Sequence, residues 1–477
     1  MITESELAKL SFAGAPLVAT ELPGPKAREV LLESQKYRPP SRPPGTPGTA
    51  PAAQPGGPPP LRGAVWDEAR GATMKDIDGN ILIDLTAGIA VTSVGRVHPK
   101  VAAAARSQAS KLMHVGIGNE SLAHLTLAKG LAGIMPGGLK NHCLFSYVQG
   151  GSDAVETAIK YARAITGRSQ IVAFEGAYHG VWCGSLALTS KWLFKSAFGP
   201  LIPGVIHMPY AYCYRCAFGL TYPACGVACA KYLDYKLNTE STGAGDVAAV
   251  IIEPVQGEGG YVDPPPEFLG IIKAGCEKKG ILFVADEIQS GAGRTGKMWA
   301  VEHYGVTPDM LIFGKGIGGD APMAGVAVRD EYGEKLARAP QPNTFERNAV
   351  SCAIAATNIA LLTDGKMDLV GRVARVGDEI KEKLINESKD IPIVGEVRGK
   401  GFMLGVELVK NKETREPYAN TMAITTKARD RGVIVAACGR DNNTIRFMPP
   451  LVITREYFNK GVDVVLDLLR EEAKVVG

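Results

Sequence analysis

The sequence predicts an α/β protein built around a large, mostly parallel β-sheet, with a second and smaller α/β domain. Two observations carry this prediction. In the middle of the chain, short apolar runs of strand length alternate with longer amphipathic stretches, a pattern typical of strands joined by helical crossovers. From about residue 346 the alternation gives way to a mixed pattern, which indicates a separate, smaller unit.

Six apolar runs, bounded by glycine or polar residues, are the predicted strands of the large sheet. They lie at 143–148, 171–174, 247–252, 281–285, 310–313 and 324–328. Between the first two, residues 153–165 place their apolar side chains on one helical face. Ligands of such sheets bind at the carboxyl ends of the strands, so polar residues just after these runs are candidate site residues.

The N-terminal region differs in composition from the rest of the chain. Residues 39–60 are nearly all Pro, Gly, Ala, Ser and Thr, which predicts an extended or disordered arm. A short helix is predicted at 25–36 and a short strand at 81–85. The predicted division of the chain is an N-terminal segment at 1–61, a first part of the small domain at 62–90, a large domain at 91–345 and a C-terminal small domain at 346–477.

Charge and hydropathy exclude several classes of protein. The 477 residues carry 53 basic and 49 acidic side chains, a balance that argues against a nucleic-acid partner. No apolar run approaches the ~18 residues of a membrane span, and the polar N-terminus is unlike a secretory signal. We therefore expect no membrane partner and a cytoplasmic location.

Nine cysteines, an odd number, argue against a disulfide framework. Four of them cluster, at Cys213, Cys216, Cys225 and Cys229. Their spacing is compatible with a structural zinc site, and equally with buried or paired thiols in an aromatic loop. Spacing leaves both readings open, and no metal ligand is assigned.

Two strand-end residues suggest the chemistry. Lys315 follows the run 310–313 between two glycines, where a lysine can reach into a crevice and form a Schiff base. Asp286 ends the preceding run, where a carboxylate could keep a pyridine nitrogen protonated and make the ring an electron sink. The glycines around Lys315 also match a dinucleotide fingerprint, but that motif should open a helix, and a strand is predicted next.

A glycine turn and an aromatic residue complete the pattern. Gly150, Gly151 and Ser152 precede the predicted helix, where free backbone N–H groups would bind a phosphate. We expect Asp153 and Glu156 to form a capping box there. An aromatic side chain after the next strand, Tyr178, could stack on a flat ring.

Five strings of residues together resemble the class III aminotransferases, which are homodimeric pyridoxal 5′-phosphate enzymes of fold type I. The strings are Gly-Ile-Ala-Val at 88–91, Gly-Ser-Asp-Ala-Val-Glu at 151–156, Gly-Ala-Tyr-His-Gly at 176–180, Glu-Pro-Val-Gln-Gly-Glu-Gly-Gly at 253–260 and Asp-Glu-Ile-Gln at 286–289. The resemblance runs from about residue 62 to the C-terminus.

The resemblance implies a role for each candidate residue around pyridoxal 5′-phosphate. The cofactor-binding residues would be Gly151 and Ser152 on the phosphate, Tyr178 on the ring, Asp286 on the pyridine nitrogen, Gln289 on the ring hydroxyl and Lys315 as the Schiff-base lysine that also moves the proton. Thr344 resembles the threonine that reaches the phosphate from the partner subunit. The chain is expected to form a homodimer or a dimer of dimers.

Arg446 resembles the arginine that binds the carboxylate of an amino or keto acid, and Glu258 the acid that pairs with it when no such carboxylate is bound. Of the departures from the family pattern, one concerns the substrate directly. Where 4-aminobutyrate and ornithine enzymes place an arginine for a second carboxylate, this chain has Val181. The predicted activity is transfer of an amino group from an amino acid or ω-amine to a keto acid such as 2-oxoglutarate or pyruvate. The alternatives are an amino-acid racemase or epimerase on the same scaffold and, less favoured, a non-catalytic binding protein.

Overall fold

The computed structural model describes residues 2–38 and 63–476, so the arm predicted at 39–60 lies outside the described residues. Within them, the strands fall into three sheets. The strands are β1 (Trp66–Arg70), β2 (Thr73–Asp76), β3 (Ile81–Asp84), β4 (Cys143–Val148), β5 (Gln170–Phe174), β6 (Val205–Met208), β7 (Val247–Ile252), β8 (Leu282–Asp286), β9 (Met310–Phe313), β10 (Ala324–Arg329), β11 (Val394–Lys400), β12 (Met403–Leu408), β13 (Val433–Ile434), β14 (Ala436–Cys438) and β15 (Thr444–Phe447).

Helices connect and cover these sheets. They are α1 (Glu4–Ala8), α2 (Pro25–Gln35), α3 (Ala87–Ala90), α4 (Pro99–Ala109), α5 (Leu122–Ile134), α6 (Gly151–Thr166), α7 (Cys183–Leu188), α8 (Trp192–Lys195), α9 (Ala228–Asn238), α10 (Phe268–Glu277), α11 (Gly333–Ala337), α12 (Ala349–Leu362), α13 (Leu369–Ser388), α14 (Thr421–Asp430) and α15 (Arg455–Val476). Helix α2 confirms the helix predicted at 25–36.

The largest sheet has seven strands in the order β4-β10-β9-β8-β7-β5-β6. Strand β10 is antiparallel to both of its neighbours, and the remaining pairs are parallel. The mostly parallel sheet is thus confirmed, and the six predicted strands agree with the observed ones to within a residue at each end. The sequence prediction missed the edge strand β6, whose side chains are mostly half-buried and therefore lack an apolar run.

The sheet forms the middle of three layers. Its central strands β7, β8 and β9 are buried along their whole length, as expected for strands covered on both faces. Helix α6 packs its apolar side on one face, and α5, α9 and α10 lie in the cluster on the other. This packing fixes the strand ends that carry the candidate site.

Two four-stranded sheets flank the large one, in the orders β1-β2-β3-β13 and β11-β12-β15-β14. Strand β13, from the C-terminal part of the chain, pairs in parallel with β3 from the N-terminal part. The N-terminal segment joins the same region through a bridge between Leu17 and Ile81. A small domain built from both ends of the chain fits these pairings, and the domain boundaries given above remain our proposal.

Candidate active site

Asp286 and Lys315 lie at the same edge of the large sheet because β8 and β9 are neighbouring parallel strands, with Asp286 paired to Ile312. The backbone of Lys315 has a φ of 35°, a value that residues other than glycine rarely adopt. Such an outlier at a strand end points to a functional constraint. The residues after Lys315 form turns and lead into β10 without opening a helix, which excludes the dinucleotide fingerprint.

The surroundings of Lys315 favour a neutral amine. Burial and the nearby positive charge of Arg446 lower the pKa of Lys315 to about 8. Among the residues that the structure describes, none forms a hydrogen bond or ion pair with its Nζ. A lysine in this state is a nucleophile closer to neutral pH than an ordinary one.

Asp286 forms a buried pair with His179. Asp286 Oδ2 lies 2.7 Å from His179 Nδ1, and both side chains are almost fully enclosed. Burial lowers the pKa of His179, but the hydrogen bond and negative charge of Asp286 outweigh it and raise the pKa overall. Within the described part of the chain, His179 Nε2 has no partner. The hydrogen bond from the imidazole therefore fixes the orientation of the Asp286 carboxylate. The sequence prediction missed this role, although His179 is part of the string Gly-Ala-Tyr-His-Gly at 176–180.

A second buried acid, Glu253, stands beside this pair. It follows β7 and accepts hydrogen bonds from the backbone N–H groups of Tyr178 (3.0 Å) and Gly257 (2.8 Å). Burial raises its pKa to about 7, and the charge of Asp286 acts in the same direction. Glu253 was not predicted as a site residue, although the strand-end rule that selected Asp286 applies equally to it.

The glycine turn lies at the start of α6, but Gly151 and Ser152 already belong to the helix, which was predicted to open at Asp153. The helix begins at Gly151, and Gly150 occupies the N-cap position without a side-chain hydrogen bond. A Cβ at Gly151 would lie 3.0 Å from the side chain of Ile288, so a larger residue there would have to displace Ile288, which also lines the cleft. The free N–H groups of this first turn are a ready anion site.

The predicted capping box at the start of α6 is wrong. Glu156 instead accepts hydrogen bonds from the backbone N–H groups of Gly184 (2.6 Å) and Ser185 (2.8 Å), in the first turn of α7. The reason is that the helix already begins at Gly151, two residues before Asp153, which puts Glu156 a turn too far along to reach back.

These elements enclose one cleft, which we call the central cleft. Its polar lining consists of Ser152, Tyr178, His179, Glu253, Glu258, Asp286, Gln289 and Lys315. The buried Oε1 of Gln289 has no hydrogen-bond partner among the described residues. A flat, phosphorylated pyridine ring fits this set of groups: an anion site at one end, an aromatic wall, an unpaired amide oxygen and a buried carboxylate.

Arg446 and Glu258 form an ion pair beside the cleft. Arg446 Nη1 lies 3.2 Å from Glu258 Oε2, and the arginine is almost fully buried. Arg446 lies on β15 and Glu258 in the loop after β7, so the pair joins the C-terminal sheet to the large one. The structure thus brings together the two residues that the sequence suggested as partners.

Two other predicted features lie elsewhere. Thr344 is exposed between α11 and α12 and does not line the central cleft. Val181 is 53% exposed, and its backbone N–H donates to Ser152 Oγ at 3.1 Å. Arg347, which follows Thr344 closely in the chain, pairs with Glu120 at 2.6 Å and does not line the cleft either.

The clustered cysteines line a separate pocket, the cysteine pocket, together with aromatic and aliphatic side chains. All four have free thiols. Burial raises the pKa of Cys213 and of Cys229 to about 11, so both are neutral thiols near pH 7. In the described ranges, no three His, Cys, Asp or Glu side chains are arranged to hold a metal ion. The choice between zinc ligands and buried thiols stays a prediction.

The fold and the central cleft define a pyridoxal-phosphate-dependent enzyme of fold type I, with a strand-end lysine, a strand-end carboxylate and a phosphate turn on one α/β scaffold. Comparison with known proteins gives the family: the chain belongs to the class III aminotransferases, whose family model, Aminotransferase class-III, matches residues 55–469. It is an aminotransferase, and pyridoxal 5′-phosphate is its cofactor.

Proteins of similar sequence are also named aminotransferases. The chain is 36% identical to a 5-aminovalerate aminotransferase of Pseudomonas putida, over 85% of this chain and 93% of the relative. It is 37% identical to a 4-aminobutyrate aminotransferase of Mycobacterium leprae, over 84% and 90%. Both relatives are named for transfer of an amino group from an ω-amino acid.

Solved structures give the same class. An (S)-enantioselective ω-transaminase from Thermomicrobium roseum superposes with a TM-score of 0.81 at 32% identity, over 93% of this chain and 99% of that one. A taurine:2-oxoglutarate aminotransferase from Bifidobacterium kashiwanohense, solved with pyridoxal phosphate and glutamate, gives 0.83 at 25% identity, over 94% and 99%. Neither these structures nor the two relatives above are named racemases, which favours transfer over racemisation. In the described ranges, no helix is both long and apolar enough to cross a membrane.

Proposed function

We propose that the chain holds pyridoxal 5′-phosphate in the central cleft and moves amino groups between an ω-amino donor and a keto acid acceptor. The observation that carries this proposal is the ion pair of Arg446 and Glu258, 3.2 Å apart, beside a cleft that contains Lys315. An arginine that is paired in one state and free in another suits an enzyme whose two substrates differ in their carboxylates.

The residues of the cleft would divide the work on the cofactor. The first turn of α6 and Ser152 bind the phosphate, and Tyr178 and Gln289 contact the ring and its hydroxyl. When bound, pyridoxal phosphate supplies an electron sink for the amino-bearing carbon. Asp286, fixed by His179, keeps the pyridine nitrogen protonated. Lys315 holds the cofactor and moves the proton taken from the donor.

The donor we propose is an amine or ω-amino acid, and the acceptor is 2-oxoglutarate or pyruvate. The named relatives act on 5-aminovalerate and 4-aminobutyrate, which supports a donor whose reacting carbon carries no carboxylate. Val181 replaces the arginine that would grip a distal carboxylate, so we expect weak selection for the far end of the donor. With such a donor, Glu258 stays on Arg446; with the acceptor, the keto acid's carboxylate takes its place.

We also propose a homodimer, or a dimer of dimers, in which Thr344 reaches the phosphate of the partner subunit. Its exposed position away from its own cleft supports this role. Large apolar side chains are also exposed nearby, at Met113, Ile117, Leu122 and Phe345, and such patches commonly mark interfaces. Sedimentation should give at least a dimer, and Thr344→Val should weaken cofactor binding. A cytoplasmic location stays a prediction.

The test of the activity is visible absorption of the cofactor-loaded protein during addition of single donors without any keto acid. We expect 4-aminobutyrate, 5-aminovalerate or 1-phenylethylamine to abolish the absorption band lastingly, with formation of the carbonyl product, and 2-oxoglutarate or pyruvate to restore it. Lys315→Ala should show neither change, whereas the exposed control Lys297→Ala should match the parent protein.

Two outcomes would contradict the proposal. If the band persists while a single enantiomer of an amino acid racemises, the chain is a racemase. If Lys315→Ala binds and converts the donor as the parent does, Lys315 does not carry the chemistry.

A further inference from the structure

Lys191 lies between α7 and α8 and reaches the ion pair beside the central cleft. Its Nζ is 3.2 Å from Glu258 Oε1, 3.2 Å from the carbonyl oxygen of Gly439 and 2.5 Å from Asn442 Oδ1. Its side chain is only 14% exposed. Nothing in the sequence singled out this lysine, which is 67 residues from Glu258 along the chain.

Glu258 is therefore shared by two cations. Its Oε1 faces Lys191 and its Oε2 faces Arg446, each at 3.2 Å. The carboxylate itself is 20% exposed, so its charge is only partly solvated. Loss of one cation would leave the other in place, and loss of both would leave a largely buried, unpaired charge, which is strongly unfavourable.

The hydrogen bonds of Lys191 show which role it can fill. An ammonium group has three donors, and Lys191 has three protein acceptors within reach, in Glu258, Gly439 and Asn442. Its capacity is thus used within the protein. This distinguishes it from Arg446, whose buried Nε has no partner among the described residues and which can still take up a substrate carboxylate.

We propose that Lys191 is a positioning residue that retains Glu258 when a keto acid's carboxylate displaces it from Arg446. Because Glu258 keeps one cationic partner in both states, its release from Arg446 leaves no unpaired buried charge. Lys191 thereby sets how tightly the enzyme binds acceptors with an α-carboxylate relative to donors without one. This inference rests on the proposed role of Arg446 and Glu258 in carboxylate binding.

The experiment is calorimetric binding of 2-oxoglutarate to the pyridoxal form of the holoenzyme, which has no amino group to transfer, so that binding is measured without turnover. Lys191→Met should raise the dissociation constant about tenfold. The Michaelis constant for 1-phenylethylamine, which has no carboxylate, should change less than about twofold. The matched control is Lys195→Met: Lys195 lies one helical turn on and donates to the carbonyl oxygen of Ala187.

A double-mutant cycle separates positioning from direct binding. In a Glu258→Gln background there is no carboxylate left to retain, so adding Lys191→Met should change the dissociation constant of 2-oxoglutarate less than about twofold. A full effect of Lys191→Met in that background would mean that Lys191 binds the keto acid itself, and the proposal would be wrong.

The proposal would also be wrong if Lys191→Met weakened binding of the keto acid acceptor and of the amine donor equally. Equal weakening is the result expected of a general disturbance of the cleft. Failure of the proposed function looks different. In that case the parent holoenzyme would convert none of the donors, whatever residue stands at position 191.

Discussion

The central cleft and the cysteine pocket contain comparable sets of reactive side chains, but the structure uses them in different ways. In the cleft, polar groups from distant parts of the chain converge, and two buried atoms, Gln289 Oε1 and His179 Nε2, have no hydrogen-bond partner among the described residues. In the cysteine pocket, four thiols close in sequence lie among apolar side chains, and burial raises the pKa of Cys213 and of Cys229. Buried polar atoms without a hydrogen-bond partner indicate a ligand-binding site. Thiols among apolar side chains indicate a packing role instead.

The support behind each region differs as well. The cleft lies at the ends of strands β7, β8 and β9, which are buried along their whole length, so its backbone is fixed by the core. The cysteine segment is a loop held from outside by a buried network on the C-terminal sheet. In that network Arg398 binds Glu407 (2.6 Å) and the hydroxyl of Tyr212 (2.9 Å), and Arg215 binds the other oxygen of Glu407 (2.5 Å). Replacing a side chain at a strand end of the cleft should therefore lower the rate of amino transfer. Replacing a side chain of the buried network should lower the free energy of unfolding.

The largest expected effect is on the cleft. Asp286→Asn should lower transaminase activity by about 10³-fold, because the buried His179 loses its anionic partner and the ring nitrogen its proton-stabilising charge. The measurement is the rate of amino transfer with saturating cofactor. Glu287→Gln is the matched control: this acid is equally buried but accepts from Ser290 Oγ (2.5 Å) and the Val301 N–H (2.8 Å), away from the cleft.

We expect the control to stay within about fivefold of the parent enzyme. Equal losses in the two variants would mean that disturbing this strand end, and not the carboxylate of Asp286, impairs the enzyme.

The second prediction concerns the network behind the cysteine loop. Arg398→Met should lower the apparent free energy of unfolding by about 3 kcal/mol, because Glu407 is completely buried and, among the described residues, would keep Arg215 as its one cationic partner. Urea denaturation measures it. Arg415→Met serves as control, since Arg415 is exposed and donates to the carbonyl oxygen of Tyr214; its effect should stay below about 0.5 kcal/mol. Similar losses in both would remove the distinction between buried network and surface.

Most of the large sheet and the two strand-end residues could be predicted from sequence because both follow from burial. Strands covered on two faces must be continuously apolar, and parallel neighbours bring their carboxyl ends to one edge. The position of Asp286 and Lys315 at one edge of the sheet follows from this rule, whereas their roles on the cofactor stay a prediction. Strand β6, at the edge and only partly covered, gave no such signal.

Contacts between loops could not be predicted in the same way. The pairing of His179 with Asp286 spans 107 residues, and that of Lys191 with Glu258 depends on two separate loops. The capping-box prediction was wrong for a local reason: α6 begins at Gly151, before the first acid, Asp153, and spacing alone does not fix where a helix starts. For the cysteines, ligand-like spacing in a loop left the direction of the side chains undetermined.

The third prediction uses the pKa of Lys315. Its ordinary value is 10.5, and in the cleft it is lowered to about 8. The neutral amine is the form that reacts with the cofactor's aldehyde, and a lowered pKa makes it available at lower pH. Cofactor uptake by cofactor-free protein should thus accelerate about tenfold between pH 7 and pH 9 and then level off. Stopped-flow absorption follows the uptake.

An exposed amine provides the comparison for that measurement. Nα-acetyl-lysine should still gain reactivity with the cofactor above pH 9, as its amine has the ordinary pKa of lysine. If uptake by the protein also continues to rise steeply above pH 9, the cleft does not lower the pKa of Lys315.

The smallest effect is expected at the cysteine pocket. Replacing Cys213, Cys216, Cys225 and Cys229 together by alanine should change transaminase activity less than about twofold, because the residues lining this pocket and those lining the central cleft do not overlap. Metal analysis of the parent protein should give well below one zinc per chain. One zinc per chain, lost in the quadruple variant with a large fall in stability, would instead make the loop a metal-organised element. The two regions would then differ in the kind of ligand they bind, and not in whether they bind one.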